Sequence, residues 1–368
     1  MRPLNDLLVV DFSTLLPGPM ATLLLAEAGA RVVKIEPLAG EAMRSYPPLW
    51  GADSAIFAML NRGKESLALD LKTPHDLERV RDLVKRADVL VEQFRPGVMA
   101  RLGLGYAELS ALNPRLIYCS ITGYGQTGPR SHEAGHDLNF IADTGVLALS
   151  MGDATAPVQP AAPIGDIAGG SYPAVINVLL ALEERRHTGR GRHIDIAMSE
   201  NLFAMTYWAL ATGFATDAWP GNGTDLVTGA SPRYRVYPTR DRKGLVVAAL
   251  EPKFWSVFCD LLRLDASFRD DSIDPARTMA EIARIVGEED SEFWEKRFAG
   301  ADCCCSFVSE LSHAVRDPHF TARGVFAHSL ANEHGDTMPA LPVPIDAGFR
   351  QAADVVGKAP ALGSTKSV

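Results

Sequence analysis

Two polar residues in glycine-rich settings stand out for chemistry. They are His136 in Gly135-His136-Asp137-Leu138-Asn139 and Asp166 in Ile164-Gly165-Asp166-Ile167-Ala168-Gly169-Gly170. An imidazole titrates near neutral pH and so gives and takes protons. A carboxylate acts as proton acceptor or as nucleophile. The glycine before each gives a ligand close access to the backbone. A plainer reading stands beside this one, because a histidine among nine is usually structural. The stretch closes on the basic turn Thr188-Gly189-Arg190-Gly191-Arg192, read as a solvated loop. His193, on the alternating run His193 to Ala197, reads as structural.

The bulk properties narrow what such residues act on. A net charge of −9 over 368 residues argues against nucleic acid or an anionic membrane as partner, so a polyanionic ligand must meet a local basic cluster. No uninterrupted apolar run reaches the roughly eighteen residues of a membrane span, and no secretory signal is visible. Of the five cysteines, Cys303-Cys304-Cys305 are adjacent and no Cys-x-x-Cys pair occurs. A tetrahedral metal site is therefore not expected, ordinary packing accounts for the run, and a reduced, cytoplasmic compartment fits best.

Positioning falls to an alternation of strands and helices. Leu7 to Phe12, Arg31 to Glu36, Ser66 to Leu71, Ala87 to Glu92 and Leu116 to Ile121 read as buried strands. Between them Met20 to Glu27 and Leu102 to Leu112 have helical patterns, as does Lys72 to Arg86, with Thr73 as cap and Pro74 in the first turn. This predicts an α/β fold with a parallel sheet, whose ligands sit at the carboxyl ends of the strands. The first βαβ unit ends in Glu36, as a dinucleotide site would. Its turn, however, is Pro17-Gly18-Pro19 rather than Gly-x-Gly-x-x-Gly, and the prolines remove amide donors. Nicotinamide binding is not expected. Lys72, Arg95 and Arg101 fall at or beyond strand ends, near Phe94. Cations beside an aromatic ring suit a phosphorylated adenine nucleotide and equally describe a solvated rim.

Beyond Tyr172 to Glu184, a helix, the pattern changes. Glu200 to Thr212 is apolar on most faces and reads as one helix. Val236 to Thr239 and Gly244 to Leu250 form a hairpin, and Lys253 to Leu262 a helix. The expected division is a large α/β domain over 1–200, a linking helix and loop over 201–232, and a small domain over 233–325. Residues 326–368 return to the large domain and end in a disordered tail from Gly363.

The order of short motifs is more telling than any one of them. Pro17-Gly18-Pro19, Val32 to Pro37, Leu69 to Pro74 and Phe94 to Gly97 come first. Arg101 to Gly105, Gly125 to Pro129, the His136 and Asp166 segments and Thr188 to Gly191 follow. In this order they resemble the family III CoA transferases, the CaiB/BaiF family, whose other branch is the α-methylacyl-CoA racemases. The resemblance covers nearly the whole chain.

It implies a Rossmann-like large domain, a smaller α+β domain and an interlocked homodimer with a shared active site. An acyl-CoA would be the substrate, coenzyme A being part of it, with no metal or prosthetic group. It also implies that Leu69, Lys72, Gln93, Phe94, Arg95 and Arg101 contact nucleotide and pantetheine, and that Gly135, Asp137 and Phe140 line the thioester end. The main-chain N–H of Asp137 would serve an enolate oxygen. Asp166 matches the catalytic aspartate of both branches: nucleophile in transferases, acid/base in racemases. His136 favours the racemases, since moving a proton between faces of an α-carbon needs two acid/bases. Glu251 matches a glutamate that the partner subunit pairs with that histidine; read alone, it is an acid at a helix start. The expectation is thus a 2-methylacyl-CoA racemase. The alternatives are CoA transfer through an aspartyl-CoA thioester on Asp166, or an acyl-CoA-binding protein without catalysis. Gly229-Ala230-Ser231-Pro232 and Asp302 to Ser306 depart from the racemase pattern, which leaves the acyl chain open.

Overall fold

Short valine- and isoleucine-rich runs between glycine and proline turns fold as six strands. They are β1 (Leu8–Asp11), β2 (Arg31–Glu36), β3 (Glu65–Ala68), β4 (Val89–Glu92), β5 (Ile117–Thr122) and β6 (His193–Ala197). All pair in parallel, in the order β6-β5-β4-β1-β2-β3. With β1 central and the chain winding first one way and then the other, this is the doubly wound Rossmann order. The computed structural model describes residues 2–150, 152–153 and 156–365.

Burial on both faces explains why the inner strands read as near-continuous apolar runs, whereas β6, at the sheet edge, alternates, with Ile194 and Ile196 buried and His193 and Asp195 exposed. On one face Val10, Val33, Ile35, Leu67 and Leu90 pack with Val80, Leu83 and Val84, which lie on a covering helix (Pro74–Val84). Its cap is as expected: the Thr73 hydroxyl accepts the Asp76 N–H at 3.2 Å and Pro74 opens the first turn. Helix α1 (Pro17–Glu27) begins three residues before the expected start. A proline fits the first turn because its missing N–H has no helical partner to lose.

Two units divide the chain. The larger is Met1–Thr144, Ala161–Met205 and Pro318–Val368; the smaller is Gly145–Pro160 and Thr206–Asp317. The divisions do not fall at 200, 232 and 325. Residues 201–205 stay with the sheet, where Leu202 is fully buried, and the chain re-enters at Pro318. The single helix expected over Glu200 to Thr212 is broken into Met198–Leu202, a 3-10 turn and Tyr207–Thr216.

The end of the chain is also more ordered than expected. Val343 packs with Met20, Leu23 and Leu24, and Arg62 and Arg350 both pair with Glu27, at 2.5 and 3.0 Å. From Gly363 the chain lies along β3 rather than forming a free tail: the N–H groups of Gly363 and Thr365 reach the Ser66 hydroxyl and carbonyl. Edge strands expose unpaired amides and carbonyls, and covering them stabilises the sheet. Residues 366–368 lie outside the described residues.

In the smaller unit Tyr234–Pro238 and Gly244–Ala248 form the expected hairpin, and Cys305–Phe307 adds a third antiparallel strand. Trp255, Phe258, Trp294 and Phe298 fill its core. Cys303 is buried there and Cys304 exposed; burial raises the thiol pKa of Cys303 and Cys305, which makes them poor nucleophiles.

Candidate active site

A sheet with this strand order opens a crevice where the winding reverses, between the carboxyl ends of β1 and β4. A cavity of about 320 Å³ occupies that place. Thr14, Leu15 and Pro17 wall it from the turn after β1, Gln93 to Pro96 from the segment after β4, and Ile121 to Gly123 from the end of β5. Gly135, His136, Phe140 and Asp166 face it as well, beside Ser131, Glu133, Ala134 and Met198. The two residues singled out for chemistry thus share one cavity, although thirty positions separate them.

The dinucleotide reading fails here on geometry as well as on motif. Pro17 and Pro19 carry no N–H, the Gly18 N–H is taken by Gln93 Oε1 at 3.0 Å, and the Leu15 N–H by Glu41 Oε2 at 2.9 Å. The start of α1 therefore has little to offer a pyrophosphate. Glu36, where a ribose-binding acid would stand, is buried and held by Arg44 through two contacts of 2.7 Å and by Ser66 at 2.6 Å.

His136 precedes the helix α2 (Asp137–Asp143) as its cap residue, in extended backbone. Its N–H donates to Asn139 Oδ1 at 3.0 Å and its carbonyl accepts the Asn139 N–H at 2.8 Å. These bonds fix the backbone and leave the exposed imidazole to the cavity. Asp166 lies on a π-helical turn (Gly165–Ser171) that runs into α3 (Tyr172–Thr188). Such turns are rare and recur at functional sites. Ser171 stabilises this one by donating to the Pro17 carbonyl at 2.8 Å and the Asp166 carbonyl at 3.2 Å. The Asp166 N–H donates to Asp137 Oδ1 at 3.0 Å. Burial pushes the Asp166 carboxyl up to about 6, the Asp137 carboxylate adds to the rise, and His136 opposes it. A carboxyl poised near neutral pH exchanges protons efficiently.

The glycines around these residues serve packing more than ligand approach. A Cβ on Gly135 would stand 2.7 Å from the Phe140 ring and one on Gly123 2.5 Å from it. Phe140 is held between them, edge-on to Tyr124 with centroids 5.4 Å apart. A Cβ on Gly169 would meet the Met198 carbonyl at 2.4 Å, so this glycine lets the π-helical turn seat against Met198–Leu202.

Seven of the twelve residues expected in the site line the cavity: Gln93, Phe94, Arg95, Gly135, His136, Phe140 and Asp166. Asp137 stands behind it, through its bond to Asp166. Lys72 and Arg101 lie outside the lining, exposed beyond the ends of β3 and β4. Those ends are three inter-strand steps apart, roughly 14 Å. Among the described residues none of Lys72, Arg95 and Arg101 has an ion-pair partner. Leu69 is buried in the core, so its side chain has no free surface. Glu251 belongs to the smaller unit, at the cap position of Pro252–Leu262; its carboxylate makes no capping bond. Sequence reasoning missed Thr14 and Leu15 as walls, and Glu92, a buried acid whose Oε2 accepts the Phe94 N–H at 2.8 Å and so holds Gln93 to Arg95. The signal for the first two was the Pro-Gly-Pro turn itself, which marks the end of β1.

The helix Gly165–Thr188, continuous through the π-helical turn, contains an 18-residue stretch long and apolar enough by composition to cross a membrane. Its buried residues Ala174, Val178 and Ala181 and its seven-residue turn carrying Asp166 place it as the helix that delivers the carboxylate to the sheet.

Known proteins resemble the chain over almost its full length. The α-methylacyl-CoA racemase of Homo sapiens is 33% identical over 93% of this chain and 86% of its own. The acetyl-CoA:oxalate CoA-transferase of Acetobacter aceti is also 33% identical, over 93% and 89%. The crystal structure of a CaiB/BaiF family protein from Brucella suis superposes with a TM-score of 0.83 at 27% identity, covering 98% of this chain and 96% of the other. Residues 4–366 match the sequence model of CoA-transferase family III, and the chain belongs to that family.

Proposed function

We propose that the protein interconverts the epimers of 2-methylacyl-CoA thioesters by proton transfer at the α-carbon. The observation that carries this reading is the presence of His136 in the same cavity as Asp166, whose carboxyl titrates at about 6. One group removes the α-proton, the electron pair moves onto the thioester oxygen as an enolate, and the other group returns a proton to the opposite face. An enolate oxygen needs a preorganised donor. The Asp137 N–H, at the first position of α2, finds no acceptor among the described residues and suits that role. Lys72, Arg95 and Arg101 would hold the nucleotide phosphates of coenzyme A, with Gln93 and Phe94 along the pantetheine.

The same reading makes the enzyme a homodimer in which the partner subunit supplies Glu251 to His136. Large exposed apolar side chains support a covered surface: Tyr207 and Phe214 on the helix Tyr207–Thr216 are 73% and 77% exposed, and Ile176, Leu179 and Leu180 project from α3. On each unit taken by itself, large exposed apolar side chains of this kind are a mark of association.

The relatives include transferases at the same identity as the racemase, and an Asp166 nucleophile would serve CoA transfer without help from His136. A single enantiomer of a 2-methylacyl-CoA, incubated in D₂O without added carboxylic acid, separates the two. Racemisation with deuterium at the α-carbon supports the proposal. Absence of exchange, with CoA transfer on adding a free acid, replaces it by the transferase reading.

A further inference from the structure

Beneath the turn after β1 lies a set of buried charges that no step of the chemistry uses. Lys34 and Glu41 are both buried and stand 2.9 Å apart. Lys34 donates to the Ser13 carbonyl at 2.6 Å, and Glu41 Oε2 accepts the Leu15 N–H at 2.9 Å. Asp11 accepts the Ser13 N–H at 2.9 Å and the Ser13 hydroxyl at 2.5 Å, and itself pairs with Lys64 at 3.2 Å. Every one of these bonds ends on the turn or on its support. A buried ion pair is weak evidence for stability, since well-packed apolar residues of similar volume often serve as well or better. Its use must be sought in what it holds.

What it holds is Leu15 at φ +60. That backbone region disfavours a bulky non-glycine residue, and strain of this kind gathers where a site is preorganised. Thr14 and Leu15 wall the cavity that contains His136 and Asp166. We propose that Lys34 and Glu41 are positioning residues, which hold the Thr14–Leu15 wall in the conformation that receives the thioester end of the ligand. This rests on the reading of the cavity as an acyl-CoA site. It assigns the pair to ligand fit rather than to fold stability.

The test separates fit from folding. Two variants are compared with the unaltered protein: Glu41→Gln, which keeps an acceptor for Leu15 but removes the charge, and the double variant Lys34→Met/Glu41→Leu, which removes both charges together. For each, calorimetry measures binding of a non-reactive thioether analogue of 2-methylacyl-CoA and of coenzyme A alone, and thermal unfolding gives Tm. The expected result is about a tenfold loss for the thioether analogue, the scale of one released backbone conformation, with coenzyme A affinity and the double variant's Tm near those of the unaltered protein. Analogue affinity unchanged in the folded double variant overturns the proposal. So does a loss equal for both ligands, which would mark a general structural defect. If Glu41→Gln fails to fold because Lys34 is left unpaired, the double variant decides alone. Because the readout is binding, it stands apart from whether the enzyme racemises or transfers; failure of the thioether analogue to bind the unaltered protein would instead sink the acyl-CoA reading itself.

Discussion

The Asp137 carboxylate accepts the main-chain N–H of Asp166 at 3.0 Å, and its charge adds to the rise of the Asp166 pKa. One residue thus places the Asp166 carboxyl and tunes it. Replacing Asp137 by asparagine keeps an oxygen in the same position and removes the charge. The expected outcome is a downward shift of the acid limb of the kcat/KM–pH profile, which starts near the Asp166 value of about 6, with little change in Tm. An unmoved limb would mean that another group controls it.

The raised pKa of Asp166 also predicts a gain in stability on its removal. A carboxyl whose folded pKa lies above the unfolded one stabilises the fold fully below the unfolded value, 3.8, and loses that contribution as pH rises through about 6. At neutral pH the ionised Asp166 costs on the order of 2–3 kcal/mol relative to a neutral group. Asp166→Asn should therefore abolish turnover yet unfold at higher denaturant concentration than the unaltered protein at pH 7. The gap should close as pH falls toward 4. Equal unfolding midpoints at both pH values would contradict the tuning described.

Lys72, Arg95 and Arg101 have no ion-pair partner among the described residues of an acidic protein, and on the proposed reading they are the local basic cluster that meets the polyanion. Each alanine variant should raise KM for an acyl-CoA by about three- to tenfold, and the effect should shrink with added salt. Thioesters of pantetheine, which lack the nucleotide, should react equally with all the variants. A uniform loss on both substrates would place these residues elsewhere in the mechanism.

The proposed sharing of the site between subunits is accessible to complementation. His136→Ala and Glu251→Gln homodimers should each be inactive in α-proton exchange. Co-expressed, they form mixed dimers in which one site carries both substitutions and the other carries neither. Each mixed dimer should have about half the activity of an unaltered dimer, and a randomly assorted pool about a quarter. If no activity returns, His136 and Glu251 do not work across subunits.

Much of the framework could be read from the residues themselves. Arg31–Glu36 is bounded where its apolar run begins and ends, because a strand buried on both faces has little freedom in composition. His193–Ala197 is bounded by its alternation, with Ile194 and Ile196 buried and His193 and Asp195 exposed. The motif order pointed to His136 and Asp166, and the fold brings them to one cavity. What the residues did not disclose was nonlocal. Leu69 is an ordinary strand leucine until the sheet closes over it. Glu92, Leu15 and Glu41 matter through main-chain contacts, which leave no trace in side-chain type. The glycine before His136 suggested ligand access, whereas its neighbour turned out to be the Phe140 ring five residues on. The tail from Gly363 looked polar and free because its partner, β3, lies about 300 positions earlier in the chain.

The closed start of α1 bears on how the protein behaves in a cell crowded with ATP and dinucleotides. A Rossmann sheet ordinarily offers the same amide cradle to any of them. Here two prolines, Gln93 and Glu41 use up that cradle, and on the proposed reading anions bind instead at separate cations on flexible stems. A ligand that spans from those cations to the cavity gains from both ends, whereas a short nucleotide engages only one. Removing a generic binding element is thus a route to selectivity, achieved by a deleted affinity rather than an added contact.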